Sequence, residues 1–203
     1  YWILNKFYLT TANNSIIELP SLETVLTKIN SNYTISTSSD SHIALIGKKT
    51  ITIISNNMTT ITPNGDFLND PQDAIFSANG NIFFILDKNK PTIQSKVDDT
   101  NQLNETTSNL YIFDVSDGFK LTDTIEIHDS NIRYLSSWVD KHVVVYDEYG
   151  SLFFVTLSTH QTQQQQIKPR SILRGTQEGF LMIELEDQLE ETFTFNLISY
   201  VSV

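Results

Sequence analysis

The chain has 203 residues, with 13 Lys and Arg against 24 Asp and Glu, so its formal net charge at pH 7 is −11. This acidic balance excludes a general nucleic-acid binder and disfavours an anionic membrane surface, because both attract Lys and Arg. The absence of cysteine excludes disulfides, thiolate metal sites and cysteine nucleophiles, while a hydrophobic fraction of 39% can supply a core.

The apolar residues alternate with polar ones or run in short blocks, which predicts an all-β fold. These blocks form five predicted hairpins, at 7–11 with 15–19, 42–46 with 50–54, 82–86 with 110–115, 142–146 with 151–157, and 180–184 with 192–198. A further strand is predicted before four hairpins, at 33–37, 74–76, 132–136 and 171–174, and after three of them, at 25–29, 58–62 and 119–127.

The hairpins recur at a regular interval. Their second strands begin near residues 15, 50, 109, 151 and 192, which is a step of about 40 residues once the polar stretch 87–108 is set aside. Four short strands in each step are typical of a β-propeller blade. A β-sandwich is the competing architecture, but it has no reason to repeat at this interval.

Burial explains why such a unit repeats. A single four-stranded sheet cannot cover both of its faces, so it must stack on its neighbours. Strands such as 82–86 and 143–146 are apolar at every position, as expected of strands buried on both faces. The sequence therefore predicts a single β-propeller portion over 1–203, with about four four-stranded blades plus an opening hairpin.

Two polar segments interrupt the pattern. Residues 87–108 are predicted to be a polar loop inserted within one blade, and 159–170 a Gln-rich surface loop. Since closed propellers have four to eight blades and the chain begins with Tyr1, we expect it to be part of a longer protein. It holds no apolar run of the roughly 18 residues that a membrane span needs.

One segment, 109–132, indicates which kind of β-propeller the chain resembles. An apolar strand ends in Phe113-Asp114, a turn bearing a glycine follows, and a second strand leads to His128. This resembles the junction between two WD repeats, with Phe113 in place of the family's Trp and Ile127 in place of its Gly. Asp147 lies in a turn where that family often places an aspartate. The resemblance implies a degenerate WD-like propeller that holds other proteins.

The sequence predicts no catalytic, cofactor-binding or metal-binding residues. Its four histidines, at 42, 128, 142 and 160, stand too far apart for a local zinc motif. No phosphate-binding glycine motif and no nucleophile elbow is present. Five acids within 184–191 are interpreted as a solvated turn or as a docking site for a basic partner.

The predicted function is a non-catalytic protein–protein interaction scaffold, the propeller portion of a subunit of a large intracellular eukaryotic complex in the nucleus or cytoplasm. The composition looks fungal. The expected partners are other protein subunits, with no cofactor, small-molecule ligand, direct nucleic-acid binding or membrane insertion. One alternative is a propeller hydrolase with acids at the channel mouth (Asp66, Asp73, Asp140, Asp147). The other is a phosphopeptide-recognising propeller (Arg133, Arg170, Arg174).

Overall fold

All regular structure in the described part of the chain is β-strand. The computed structural model describes residues 2–3, 6–10, 16–19, 24–26, 33–89, 107–128, 131–138, 142–169, 171–175, 180–185 and 193–198. No helix among these residues is long and apolar enough to cross a membrane.

The described strands form five antiparallel sheets that follow one another along the chain. Sheet 1 contains β1 (Trp2–Ile3), β2 (Lys6–Thr10), β3 (Ile16–Leu19) and β4 (Thr24–Leu26). Sheet 2 contains β5 (Tyr33–Ser38), β6 (His42–Gly47), β7 (Thr50–Ser55) and β8 (Thr60–Ile61). Sheet 3 contains β9 (Pro71–Phe76), β10 (Ile82–Lys88), β11 (Ser108–Asp114) and β12 (Lys120–Ile127). Sheet 4 contains β13 (Tyr134–Trp138), β14 (His142–Tyr146), β15 (Ser151–Thr156) and β16 (Gln161–Gln166). Sheet 5 contains β17 (Ile172–Gly175), β18 (Phe180–Leu185) and β19 (Phe193–Ile198).

The five predicted hairpins are confirmed, each as the second and third strand of a sheet. The sheets differ from the prediction at the two ends of the chain. The first hairpin belongs to a four-stranded sheet, and the sheet with three described strands is the last one. Strand β1 has two residues, which is too short to give a periodic signal in the sequence.

The prediction of a Gln-rich surface loop over 159–170 is wrong for its central part. Gln161–Gln166 is the strand β16, and each of its residues pairs with a residue of β15. All of its side chains are exposed. Apolar residues do not alternate in this segment, because an outermost strand that buries neither face does not need them. Backbone pairing with β15 holds the strand in place.

The predicted insertion at 87–108 begins later and ends earlier than expected. Asp87 and Lys88 complete β10, Ser108 opens β11, and these ends pair with each other across the two strands. Residues 90–106 of the predicted loop lie outside the described residues.

The first strands of neighbouring sheets lie side by side. Strand β9 contacts β5 and β13, and β13 contacts β17. Leu135 N donates to Asp73 Oδ2 at 2.7 Å, and Ser137 Oγ donates to Phe76 O at 3.0 Å. Residue numbers rise together across these bonds, so β9 and β13 run in the same direction. The sheets therefore stand around an axis lined by their first strands, which is the arrangement of a β-propeller, here a partial one.

Alternate side chains of each central strand pack into different interfaces between sheets. Phe83 and Ile85 join the cluster between sheets 2 and 3, whereas Phe84 and Leu86 join the cluster between sheets 3 and 4. All four are fully buried. The same alternation sends Val143 and Val145 of β14 to sheet 3, and Val144 and Tyr146 to sheet 5. The prediction that strands apolar on both faces are covered by copies of the same module is confirmed.

Candidate functional site

One end of the sheets carries the longest connection between two described strands. At this end, called the insertion end, the first strands begin and residues 89–107 join β10 to β11. The base of this connection is clamped. Asn89 N donates to Thr107 O at 2.9 Å, Asn89 Nδ2 donates to Thr107 Oγ1 at 2.7 Å, and Asn109 Nδ2 donates to Asn89 Oδ1 at 2.8 Å. The connection therefore leaves the sheet from a fixed base.

A buried carboxylate next to this base holds the connection between sheets 2 and 3. Asp87 is fully buried, and its Oδ1 accepts the backbone N–H groups of Asn69 at 3.1 Å and Asp70 at 2.8 Å. In turn, Lys88 N donates a hydrogen bond to Asp70 O at 3.1 Å. The side chains of this connection add apolar anchors, because Leu68 is fully buried and Phe67 lies 4.4 Å from the Tyr111 ring.

Burial raises the pKa of the Asp87 carboxyl, against the backbone hydrogen bonds from Asn69 and Asp70, which lower it. Burial likewise raises the pKa of the Tyr111 hydroxyl nearby. These causes are structural, since the partners of Asp87 are backbone amides of the neighbouring connection. Asp87 therefore fixes the insertion end rather than presenting a reactive group to solvent.

The raised pKa of Asp87 has a definite consequence for stability. A carboxyl with a folded-state pKa above its unfolded value stabilises the fold fully at pH below that unfolded value, and this contribution is lost as pH rises through the folded-state pKa. We expect the wild type to lose stability relative to Asp87→Asn as pH rises above the ordinary pKa of an aspartate, about 3.9, measured by urea unfolding. Asp66→Asn, an exposed acid of the same connection, is the control. A wild type that gains stability relative to Asp87→Asn over this range contradicts the expectation.

The turn between β14 and β15 lies at the same end and is held from several sides. Asp147 is 2% exposed, and its Oδ1 accepts Tyr149 N at 2.9 Å and Ser151 N at 2.8 Å. Gly150 O accepts Ile167 N at 2.8 Å, and Gln166 Nε2 donates to Tyr149 O at 3.2 Å. The backbone of this turn is therefore fixed, while the Tyr149 side chain is 63% exposed.

Two more exposed apolar side chains lie at the insertion end of sheets 4 and 5. Tyr134 opens β13 and is 41% exposed, and Ile172 opens β17 and is 39% exposed. The Tyr134 ring lies 5.3 Å from that of Tyr146, whose hydroxyl accepts Leu173 N at 3.4 Å. Tyr134, Tyr149 and Ile172 are called the tyrosine face below. The sequence did not predict this face, since only the pairing of strands shows that these side chains share one end.

The acids proposed for a hydrolase serve the backbone or stand apart. Asp73 Oδ1 accepts Ala74 N at 2.8 Å and its Oδ2 accepts Leu135 N, so it ties sheet 3 to sheet 4. Asp147 caps its own turn, Asp66 is exposed, and Asp140 lies outside the described residues. The described acids lie on different elements, and the structure does not bring them together into one cleft.

The histidines are also separated. His42 packs on Phe76 and Phe119, with ring centroids 6.3 Å and 5.1 Å away, and burial lowers the pKa of this imidazole. His160 pairs with Asp123 of sheet 3 at the rim, and His128 is exposed. Among the residues that the structure describes, no three His, Cys, Asp or Glu side chains are placed to hold a metal ion.

The charged groups singled out for peptide or phosphate binding are only partly described. Arg133 is exposed at the insertion end, where its N–H donates to Tyr146 O at 3.1 Å. Arg174 lies in β17, while Arg170 lies outside the described residues. Of the acidic stretch 184–191, residues 184 and 185 end β18 and the others lie outside the described residues.

The residues that carry the WD resemblance occupy one hairpin. Phe113 is 1% exposed, lies near the end of β11, and packs 5.8 Å from Phe83. Asp114 accepts hydrogen bonds from Ser116 Oγ at 2.6 Å and Ser116 N at 2.8 Å, and these bonds, the side-chain one foremost, lower the pKa of its carboxyl. Asp114 thus shapes the turn from β11 to β12.

Comparison with known proteins shows the fold without a family. No family model and no curated protein sequence matches the chain. A solved structure of acylaminoacyl peptidase from Pyrococcus horikoshii superposes with a TM-score of 0.62 at 9% identity, covering 96% of this chain and 35% of that one. An acylaminoacyl peptidase in complex with Z-Gly-Gly-Phe-chloromethyl ketone gives 0.59 at 10% identity, covering 94% and 35%. Hydrazine synthase of Kuenenia stuttgartiensis gives 0.57 at 10% identity, covering 94% and 58%.

These similar structures are β-propeller proteins, and the chain spans between about a third and about three fifths of their length. At this level of identity the comparison confirms the all-β propeller fold and carries nothing about activity. The expected fold and the architecture of the described sheets therefore agree.

Proposed function

We propose that this chain is a non-catalytic protein–protein interaction scaffold, the propeller portion of a subunit of a large intracellular eukaryotic complex in the nucleus or cytoplasm. The tyrosine face is the observation that supports it. Tyrosine is enriched among the residues that dominate binding energy, because it gives a large contact area with few rotatable bonds. Three exposed apolar side chains at one end of two adjacent sheets suit a protein partner.

The rigidity of the turn that bears Tyr149 strengthens this proposal. A side chain displayed by a fixed backbone loses little conformational freedom when it binds, so more of its contact energy remains as affinity. Asp147, Gly150 and Gln166 all hold the turn, yet the Tyr149 ring is largely exposed. Much of the local structure is thus used to position a side chain that the fold itself leaves at the surface.

We further propose that the scaffold is WD-like, with a fungal source and other protein subunits as partners. The position of Phe113 and Asp114 at the end of the third strand of sheet 3 supports the first point. The Asn, Ser and Gln content supports the second. A second WD-like junction in the parent sequence beyond residue 203 or before residue 1 would test the assignment directly.

Purification of the tagged full-length protein from cells tests the scaffold. We expect other subunits to be recovered with the wild type, and Tyr149→Ala to weaken at least one of these contacts by about 2 kcal/mol or more, about thirtyfold in affinity. Leu121→Ala is the matched control, since Leu121 is a 38% exposed apolar residue at the other end of the outer strand β12. A wild type recovered entirely alone contradicts the proposal.

A hydrolase is the second candidate, because two of the similar solved structures are acylaminoacyl peptidases. In that case the propeller would accompany a catalytic site. A panel of acyl-peptide, ester and glycoside substrates tests it with the full-length protein. Turnover of any of these substrates by the wild type would favour this candidate over the scaffold.

A further inference from the structure

The outer edges of the sheets are protected unequally. Exposed sheet edges invite pairing with another strand, and proteins usually prevent it with short strands, charges or bulges. Strand β8 has two residues, and β4 has three with an irregular register. Strand β12 carries Lys120, Asp123 and Glu126, its register shifts, and His160 of sheet 4 pairs with Asp123.

Strand β16 lacks each of these protections. It is six residues long, carries no charge and no proline, and keeps one continuous register with β15. Every side chain in it is exposed, and no described strand pairs with its outer edge. Among the outer strands β4, β8, β12 and β16, this is the one built like a strand that can accept another.

The hydrogen-bonding groups of this edge can be assigned. Ile167, directly after β16, donates its N–H to Gly150 O at 2.8 Å. Since backbone groups alternate between the two sides of a strand, those of Gln163 and Gln165 face β15. The N–H and C=O groups of Thr162, Gln164 and Gln166 therefore face outward.

We propose that the outer edge of β16 is a self-association site, at which a second copy of the chain adds its own β16 in antiparallel orientation about a two-fold axis through Gln164. This goes beyond the proposed function, because it concerns a different surface and a different partner. In this register Gln164 exchanges two backbone bonds with its own copy, and Thr162 pairs with Gln166 of the other chain. An isologous contact of this kind closes as a dimer.

The side chains of the strand also suit a second copy. A glutamine amide is both donor and acceptor, so glutamines opposite each other can bond in ladders. The chain has a net charge of −11. Strand β16 has no charged side chain, so pairing two copies of this edge does not bring like charges together. One six-residue strand buries little area, so the dimer belongs to the weak class of interfaces. Salt strengthens it by screening the repulsion between two acidic chains.

Analytical ultracentrifugation of the full-length protein, from about 1 µM to about 300 µM and at two salt concentrations, tests the proposal. We expect a concentration-dependent dimer that tightens with salt. Gln164→Pro removes an outward N–H without removing a bond to β15, an edge position where proline is tolerated. Its dissociation constant should rise about tenfold or more, because two backbone hydrogen bonds are lost.

Two further variants keep the test decisive if Gln164→Pro does not fold. Gln164→Lys keeps the N–H but places two like charges opposite each other at the two-fold axis, and it should weaken the dimer as well. Gln164→Thr keeps the N–H and adds no charge, so its dimer should match the wild type. A protein that stays monomeric at every concentration overturns the proposal, as does a dimer that neither Gln164→Pro nor Gln164→Lys weakens.

Discussion

Phe83→Ala is expected to lower the free energy of unfolding by about 3 to 5 kcal/mol. Phe83 is fully buried in the cluster between sheets 2 and 3. Its ring lies 4.8 Å from that of Phe76, 5.8 Å from Phe113 and 6.1 Å from Phe119. Truncation removes this contact area and leaves a cavity between rings from β9, from β11 and from the turn that follows β11. Because these rings are held by different strands, the surroundings can collapse only partly.

Urea unfolding measures this effect, with Leu121→Ala as the control. Leu121 is 38% exposed on the outer strand β12, so its truncation should change the free energy of unfolding by no more than about 0.5 kcal/mol. If Phe83→Ala costs no more than Leu121→Ala, the interface between sheets 2 and 3 does not carry the stability assigned to it. The same result would count against stacking of the sheets as the main source of burial.

The central strands were predictable because burial on both faces leaves a plain signal. Residues 82–86 are apolar at every position, and the structure divides them between two interfaces. A surface strand would instead alternate with period two. These strands could therefore be predicted from the burial of both faces of the sheet, although the sequence does not show which neighbouring sheet covers each face.

The outer strands and the surface features were harder to predict. Gln161–Gln166 forms a strand although it buries none of its side chains, so its sequence has no periodic mark. Tyr134 and Ile172 open the first strands of two sheets and lie 38 residues apart in the sequence. Their common position depends on the packing of β13 against β17, which is a tertiary contact that no local pattern encodes.

The acids illustrate a second reason why function was difficult to predict. Asp73, Asp87 and Asp147 carry the carboxyl groups that an acid–base site needs. In the structure, however, each accepts backbone N–H groups from a turn or a neighbouring strand. Carboxylates that satisfy backbone amides are a common means of fixing loops. A sequence shows the residue type but not the partner, and here the partner decides the role.

Gly150→Ala is expected to destabilise the fold by about 3 to 5 kcal/mol and to displace Tyr149. Gly150 has a φ of +97°, and a Cβ added there would overlap the carbonyl oxygen of Ile167. That carbonyl belongs to the backbone just after β16, so it cannot move away as the end of a flexible side chain could. The added methyl group must therefore shift the turn, and with it the bond from Ile167 N to Gly150 O.

Gly118→Ala is the comparison variant for the steric overlap at Gly150. Gly118 also has a positive φ, +67°, but a Cβ added there meets nothing within 4 Å. Its substitution carries only the backbone strain, about 1 to 2 kcal/mol. Thermal and urea unfolding should therefore show the larger loss for the Gly150 variant, which carries the steric overlap and a φ outside the left-handed α region that Gly118 occupies. The Gly150 variant should also bind partners more weakly, because Tyr149 is no longer held in place. Equal losses of stability in the two variants would show that the turn yields easily, and the fixed display of Tyr149 would then lose its physical basis.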